Sequence, residues 1–486
     1  MKNMITCKNC LAVLVLLSLC PLGVQAQQAS NPQTGQNPDT QASSQPDDSV
    51  TSPEFHEPAP AVDEHAPVPP PASIAGPSLA FSSDMERANY LRGGISLGTT
   101  YDDNVLNTAT NPVGGFTFSA LPHLALDIST NRLRWTSLYS AGLTVNQRFS
   151  SRNQASHRFD MDFEYRLSPH VSLAVTDRFS LTTGFFDQLQ TSPELSGGGI
   201  LQQPNQTVVT PLAKTIGNNL AGQVSWQFGA GSIVGITGGY YNSSYSDVPP
   251  GATSLLDTTR ESASGFYSHR ISARNWIGVR YGFQHLSIQP GGEQGTTHSL
   301  TYFHTIYLKP TMQLSFFAGP EYSEVDSQIV LPDVQPPLGL VVSVPISNRT
   351  WSGAGGASYS WQGPHTSITA QFVRRVSDGG GVQGVVFANS VSGGLRWQIT
   401  RSTTMSLAGG YAASDALIAA TSGIDSLKTA TGGIGISRRL GAHFGLDLGY
   451  SRIHQASAAG ATVSLPAKHN RGWVSLSYDF SRPLGR

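Results

Sequence analysis

The chain alternates two kinds of connection, and that rhythm limits its folds more than any motif does. From about residue 88 onward, strand-like stretches are joined in turn by very short and by longer links. The short ones read Ser129-Thr130-Asn131-Arg132, Ser168-Pro169-His170, Gly229-Ala230-Gly231, Ser272-Ala273-Arg274-Asn275, Lys309-Pro310-Thr311, Gly363-Pro364-His365, Thr400-Arg401-Ser402 and Gly441-Ala442-His443. Between them lie longer Gly/Pro-rich or polar segments at 101–114, 148–155, 183–215, 246–257, 288–296, 322–347, 376–384, 415–425 and 455–467. Short turns at one end and long loops at the other are the pattern of a membrane β-barrel. A soluble sandwich has no reason to sort its connections this way.

The stretches between turns carry the matching period. In Phe159-Asp160-Met161-Asp162-Phe163-Glu164-Tyr165-Arg166-Leu167 the odd positions are apolar and the even positions charged. A period of two puts these sets on opposite strand faces. Asp160, Asp162, Glu164 and Arg166 are therefore expected to face a water-filled lumen, because charge on the lipid face costs several kcal/mol near the midplane. Nearby arginines, among them Arg134 and Arg178, could balance them.

Only 13% of the 486 residues are charged, about half the usual share for a soluble protein. The formal net charge of −1 points to no nucleic-acid partner. Residues 1–26 read as a secretory signal peptide: Lys2 and Lys8, an apolar run from Leu11 to Leu22, then Val24-Gln25-Ala26. All three cysteines, Cys7, Cys10 and Cys20, fall inside it. The mature chain then has no thiol for a disulfide, a nucleophile or thiolate zinc. Residues 27–87, rich in Gln, Pro, Ser and Asp with no Lys or Arg before Arg87, read as a disordered periplasmic arm.

The expectation is all-β: a single large antiparallel transmembrane β-barrel of about 18 strands over 88–486, preceded by a disordered segment. Its even strand number places both termini on the short-turn, periplasmic side. Aromatics near strand ends, namely Trp135, Trp226, Phe228, Trp276, Trp361, Trp397, Trp473 and Phe480, are expected to form interface girdles. A lumen this wide holds water or a plug.

The last strand, Trp473-Val474-Ser475-Leu476-Ser477-Tyr478-Asp479-Phe480, sets Tyr478 and Phe480 on one face. It resembles the terminal aromatic strand of outer-membrane barrels that the barrel assembly machinery reads, although Ser481 to Arg486 follow it here. The opening strand and loop, Gly94-Ile95-Ser96-Leu97-Gly98-Thr99-Thr100-Tyr101-Asp102-Asp103-Asn104-Val105, resemble those of β-barrel porin-like proteins, some of which accompany exopolysaccharide genes. That resemblance implies an outer-membrane location and names no substrate.

Chemistry-bearing motifs are sparse. Asp102-Asp103-Asn104 could offer oxygens to Ca²⁺, but its spacing is not that of an EF-hand, and such runs commonly start turns. No Gly-x-Ser-x-Gly elbow in a strand–turn–helix setting is present, and Gly379-Gly380-Gly381 lacks the Lys-Ser/Thr of a phosphate loop. The expectation is a non-enzyme without cofactor or metal. Its partners are outer-membrane lipid, the assembly machinery, and small polar solutes or saccharides. The leading function is passive passage of small polar solutes. The alternative is a barrel serving polysaccharide export or surface assembly, with a hydrolase behind both. Ile329, Leu331, Leu338 and Leu340, too apolar for a solvated loop, are the candidates for a constriction within 322–347.

Overall fold

The computed structural model describes residues 89–106, 111–149, 153–182, 208, 213–247, 255–331, 342–418, 424–457 and 467–484. The expected signal peptide and arm lie outside the described residues. So do Leu338 and Leu340.

Eighteen strands follow one another: β1 (Tyr90–Asp102), β2 (Gly115–Ser129), β3 (Leu133–Asn146), β4 (Gln154–Arg166), β5 (Val171–Thr182), β6 (Lys214–Gly229), β7 (Ser232–Ser246), β8 (Asp257–Ser272) and β9 (Asn275–Gln289). Then come β10 (Glu293–Lys309), β11 (Met312–Leu331), β12 (Val342–Gln362), β13 (Thr366–Gly379), β14 (Gln383–Thr400), β15 (Thr403–Ala416), β16 (Ser426–Arg439), β17 (Phe444–Ser457) and β18 (Ala467–Pro483). Each pairs antiparallel with its sequence neighbours, and β1 pairs with β18 from Tyr90–Pro483 to Asp102–Arg471. The ring is closed. Closure gives the strands of the membrane-crossing wall a ladder on both sides, which is the condition for crossing lipid with strands.

The eight short turns fall where expected, all at the end that also holds both barrel termini, where Leu484 N donates to Asn89 O at 2.8 Å. The other end differs from expectation in three places. Segments 288–296 and 376–384 are not long loops; only 290–292 and 380–382 separate their strands. Segment 322–347 is mostly ladder, with β11 and β12 paired up to Leu331–Val342 and only 332–341 between them. Ile329 and Leu331 therefore stand in β11, opposite Val344 and Val342. A span of lipid needs about 9–11 residues. Strands of 20 and 21 residues run well past it, into a zone where no lipid imposes apolar alternation while the hydrogen-bond ladder continues.

The outer face carries the apolar set. Leu97, Phe118, Leu143, Ile236, Val279, Leu300, Val391, Leu407 and Leu476 are all exposed, as side chains meant for acyl chains must be. Near the short turns Trp226, Phe228, Tyr267, Trp397 and Phe480 join this face; toward the other end Tyr101, Tyr281, Tyr411 and Tyr450 do. Two expected girdle members do not belong. Trp276 is 3% exposed on the inner face, and Trp473 lines the interior cavity.

Candidate functional site: the barrel mouth

One hairpin leaves the wall. β13 pairs with β12 only from Gln362–Ser367 up to Gly355–Arg374, yet its ladder with β14 continues to Gly379–Gln383. β14 meanwhile holds β15 up to Val386–Ala416. Above Arg374 the β13–β14 tip therefore parts from β12 and turns inward. Every residue from Val376 to Val386 is buried. A strand within a wall alternates in exposure, so unbroken burial means that both faces are covered. The turn is made by Gly380 (φ 63°) and Gly381 (φ 83°), a backbone region open to glycine at little cost. Gly381 also lies against the Tyr245 ring, where no side chain would fit.

The tip reaches distant strands. Tyr245 Oη donates to Gly380 O at 3.4 Å and Leu256 N donates to Gly381 O at 2.8 Å, which ties it to β7 and to the approach of β8. Val385 N donates to Glu293 Oε1 at 2.7 Å on β10, and Val376 N donates to Glu321 Oε1 at 3.0 Å on β11. On its other side Gln383 Nε2 donates to Ile424 O at 3.1 Å and Ser414 Oγ donates to Gln383 Oε1 at 2.6 Å. Two apolar clusters fill the gaps. Leu256, Leu286, Ile288, Val325, Val376, Val385 and Ile418 form the first. Val208, Ala213, Leu255, Val382, Ile424 and Leu427 form the second. The protein's apolar core thus sits inside the mouth, at the long-loop end, and the hairpin is its centre.

Charged side chains surround this core. Arg260 Nη1 is 3.7 Å from Asp378 Oδ1, and its guanidinium lies 4.7 Å over the Tyr241 ring. Arg280 Nη2 donates to Ser264 Oγ at 2.9 Å. Arg375 is within Coulomb reach of Arg260, Arg280, Asp378 and Glu321. Buried ions persist only when paired or hydrogen-bonded, and each carboxylate here meets a guanidinium or a backbone N–H.

The charges expected to face the lumen form a second group. Asp160 accepts from Arg158 Nη2 at 3.1 Å and meets Arg178 Nη1 at 3.5 Å; Arg178 Nη2 donates to Asp162 Oδ1 at 3.1 Å. The structure therefore brings Asp160 and Asp162 together through Arg178. Glu164 stands opposite Arg134 and Ala174, and Arg166 opposite Ser172 at the strand end. All of these positions lie on the strand face opposite Phe159 and Phe163.

A third interior region is open. A cavity of about 420 Å³ lies along β1–β3 and β14–β18, bordered by Ser96, Thr100, Ser119, His123, Ser140 and Asp479 among others. Among the described residues four inward aromatics pack on the wall itself. Phe266 lies on Gly235, Phe303 on Gly278, Phe317 on Gly356 and Trp473 on Gly449, so each ring covers a bare stretch of wall. Phe303 is only 7% exposed.

Asp102 and Asp103 serve the closing seam. Asp102 Oδ1 accepts from Asn104 N at 2.8 Å and contacts His469 Nδ1 at 3.2 Å. Asp103 Oδ1 accepts from Asn470 N at 2.8 Å and its Oδ2 accepts from Asn470 Nδ2 at 2.6 Å. The first contact is the Asx turn expected of such a run. The others clasp β1 to β18.

The inward hairpin was missed in the sequence because Gly379-Gly380-Gly381 reads as an exposed tip. A usable signal was nonetheless present. Val382-Gln383-Gly384-Val385-Val386-Phe387 is as apolar as the stretch around Leu331, and an apolar tip needs cover.

Closed ladder, apolar exterior and polar interior define a transmembrane β-barrel of the outer-membrane type. No family model and no curated protein matches the sequence. Among solved structures it is similar to the outer membrane protein opdK from Pseudomonas aeruginosa, at 10% identity over 81% of this chain and 99% of that one, with a TM-score of 0.37. It is also similar to a BenF-like porin from Pseudomonas fluorescens, at 12% identity, 81% and 99% coverage and a TM-score of 0.38. A third is the ferric-catecholate import receptor Fiu from E. coli, at 6% identity, 80% and 81% coverage and a TM-score of 0.39. Likeness at these scores passes no transport role to this chain, whose function has to be argued from its own residues.

Proposed function

We propose that this barrel is a porin-like channel for passive diffusion of small polar solutes, narrowed at its long-loop mouth by the β13–β14 hairpin. The observation that carries this reading is the pairing of an open interior cavity with one hairpin folded across the opposite side of the mouth. A barrel of this strand number is too wide for wall side chains to fill, so its interior conducts unless something obstructs it. In this reading Asp160, Asp162, Glu164 and Arg166 line the water path, and their acid–base ladder gives it little net charge. Ile329, Leu331, Leu338 and Leu340 act in this reading as a second constriction.

The supporting parts complete the proposal. Residues 1–26 direct export, 27–87 form an unstructured periplasmic arm, and Tyr478 and Phe480 present the assembly signal to the insertion machinery. The long loops face outside. A polysaccharide conduit would need inward rings free to stack on sugars, and Phe266, Phe303, Phe317 and Trp473 lie on wall glycines. The test is single-channel conductance of the purified chain in planar bilayers. Ohmic steps that grow when 377–386 is replaced by a two-residue turn support the reading; a chain that is folded yet silent in both forms overturns it.

A further inference from the structure

Lipid-facing walls exclude charge, yet one arc of this wall collects it just above the apolar band. On β16, β17 and β18 the outward residues toward the long-loop end are Lys428, Arg452 with His454, and Lys468, all exposed. They are neighbours across the ladder. His454 stands opposite Lys468 and Ala430, Arg452 opposite Asn470, and Lys428 opposite Ala456. These three strands and the adjoining β15 carry the apolar band immediately below, with Tyr411, Ile434, Tyr450, Leu448 and Val474 exposed on that face. Tyr450 Oη donates to Asn470 Oδ1 at 2.7 Å, which marks the height at which apolar wall gives way to polar.

Among the described residues Lys428, Arg452 and Lys468 make no ion pair, whereas Arg349, the exposed cation above β11–β12, is paired with Glu324 at 2.6 Å. Of the carboxylates near them, Asp103 is already held by Asn470, and Asp415 on β15, diagonal to Lys428, forms no ion pair with it. The contrast around the rim is strong: the outward positions of β8 and β11 carry Glu261, Glu324 and Asp326 instead. Three exposed cations without a carboxylate partner, placed one step above an aromatic belt, sit at the depth of lipid headgroup phosphates. Lys and Arg near a charged leaflet each contribute roughly 1 kcal/mol of attraction to anionic headgroups. Arg supplies a planar donor fork, and Lys a mobile point charge, for phosphate oxygens.

We propose that the outward face of β16–β18 formed by Lys428, Arg452 and Lys468 is a docking site for a phosphate-bearing lipid headgroup of the outer leaflet. The acyl chains lie on Ile434, Leu448 and Val474, and the phosphate meets the three cations. The site rests on the reading that the long-loop end faces outward. It does not depend on the lumen conducting.

The test uses the full mature chain, folded in detergent micelles, and diphosphorylated lipid A as probe, with phosphatidylcholine for comparison. Bound lipid is counted by native mass spectrometry after gel shift confirms folding. Wild type should retain lipid A over phosphatidylcholine. The triple variant Lys428→Gln/Arg452→Gln/Lys468→Gln should lose retention by on the order of a hundredfold, as three such attractions imply. Arg349→Gln should retain it. Salt gives a second reading on the unaltered chain: about 0.5 M NaCl should strip the lipid, since exposed charges are screened within a few ångströms at that strength. Equal retention by wild type and triple variant, or retention indifferent to salt, overturns the proposal. So does a triple variant that keeps its lipid but loses a self-associated form, because the patch would then meet the acidic arc of a second copy. The assay is blind to conductance and to orientation in a cell, so its failure is separable from failure of the channel reading.

Discussion

The Glu293 carboxylate accepts the backbone N–H of Val385 at 2.7 Å, although 92 residues and three intervening strands of wall separate them. Glu321 does the same for Val376 at 3.0 Å. Two acids thus hold the two strands of one hairpin by their backbones. Removing an acceptor from a buried N–H costs about 1–3 kcal/mol. Glu293→Ala/Glu321→Ala should free the tip without disturbing the wall, and single-channel conductance should rise or fluctuate between levels. A folded double variant with wild-type steps would take the hairpin out of the gate.

The two constrictions can be ranked. Replacing 377–386 by Asn-Gly removes the centre of both apolar clusters, whereas deleting 332–341 only shortens the link between β11 and β12. The first change should raise conductance more than the second. The reverse order, measured in the same bilayers, would make the outer segment with Leu338 and Leu340 the true narrowing.

Adjacent residues of β4 should respond differently to substitution. Phe163 shares its face with Phe159, and Glu164 lies on the other face, opposite Arg134. Phe163→Arg should cost roughly 2–4 kcal/mol at mid-depth and slow insertion. Glu164→Gln should leave the heat-modifiable gel shift intact. Equal shifts for both variants would mean that β4 is not a lipid-facing wall.

The glycine–ring pairs predict a local fault. A β-carbon on Gly449 would run into the Trp473 ring. Gly449→Val should lower the temperature at which the folded band converts to the unfolded one, by an overpacking cost of about 1–3 kcal/mol. Gly432→Ala on the neighbouring strand, where nothing lies within 4 Å, should leave that temperature alone.

Sidedness is open to chemistry because all cysteines fall at or before Cys20. With one cysteine introduced at Ser168 or at Ser192, an impermeant thiol reagent on whole cells should reach the second and spare the first. Labelling at Ser168 alone would invert the barrel.

Strand number, closure and the eight short turns were readable because lipid forces a strict rule on the sequence: apolar outward every second residue, with tight turns at one end. Asp160 and Phe163 obey it, and their faces follow from period alone. Where lipid stops, so does the rule. Ser323 and Val325 in β11 and Val385 in β14 sit in ladders that the outer face no longer marks, so strands there look like loops. Trp276 misled for a related reason, since a ring turned into the barrel and a ring in a girdle occupy the same sequence position near a turn. The partners of the hairpin were out of reach, because contacts such as Tyr245 with Gly380 join segments 135 residues apart that only the closed ring brings together.

The parting of β13 from β12 above Gly355–Arg374 gives the mouth a mechanical character. β14 keeps its ladder with β15 up to Val386–Ala416, so the hairpin is attached like a flap along one edge only. Swinging it outward breaks side-chain latches, the Leu256–Gly381 backbone hydrogen bond and apolar contacts but no rung of the ring that seals the membrane. The seam where the ring itself closes, β1 on β18, lies several strands away and carries none of that motion. The energy of opening and the integrity of the wall are therefore stored in different bonds, and the passage can yield without the barrel loosening.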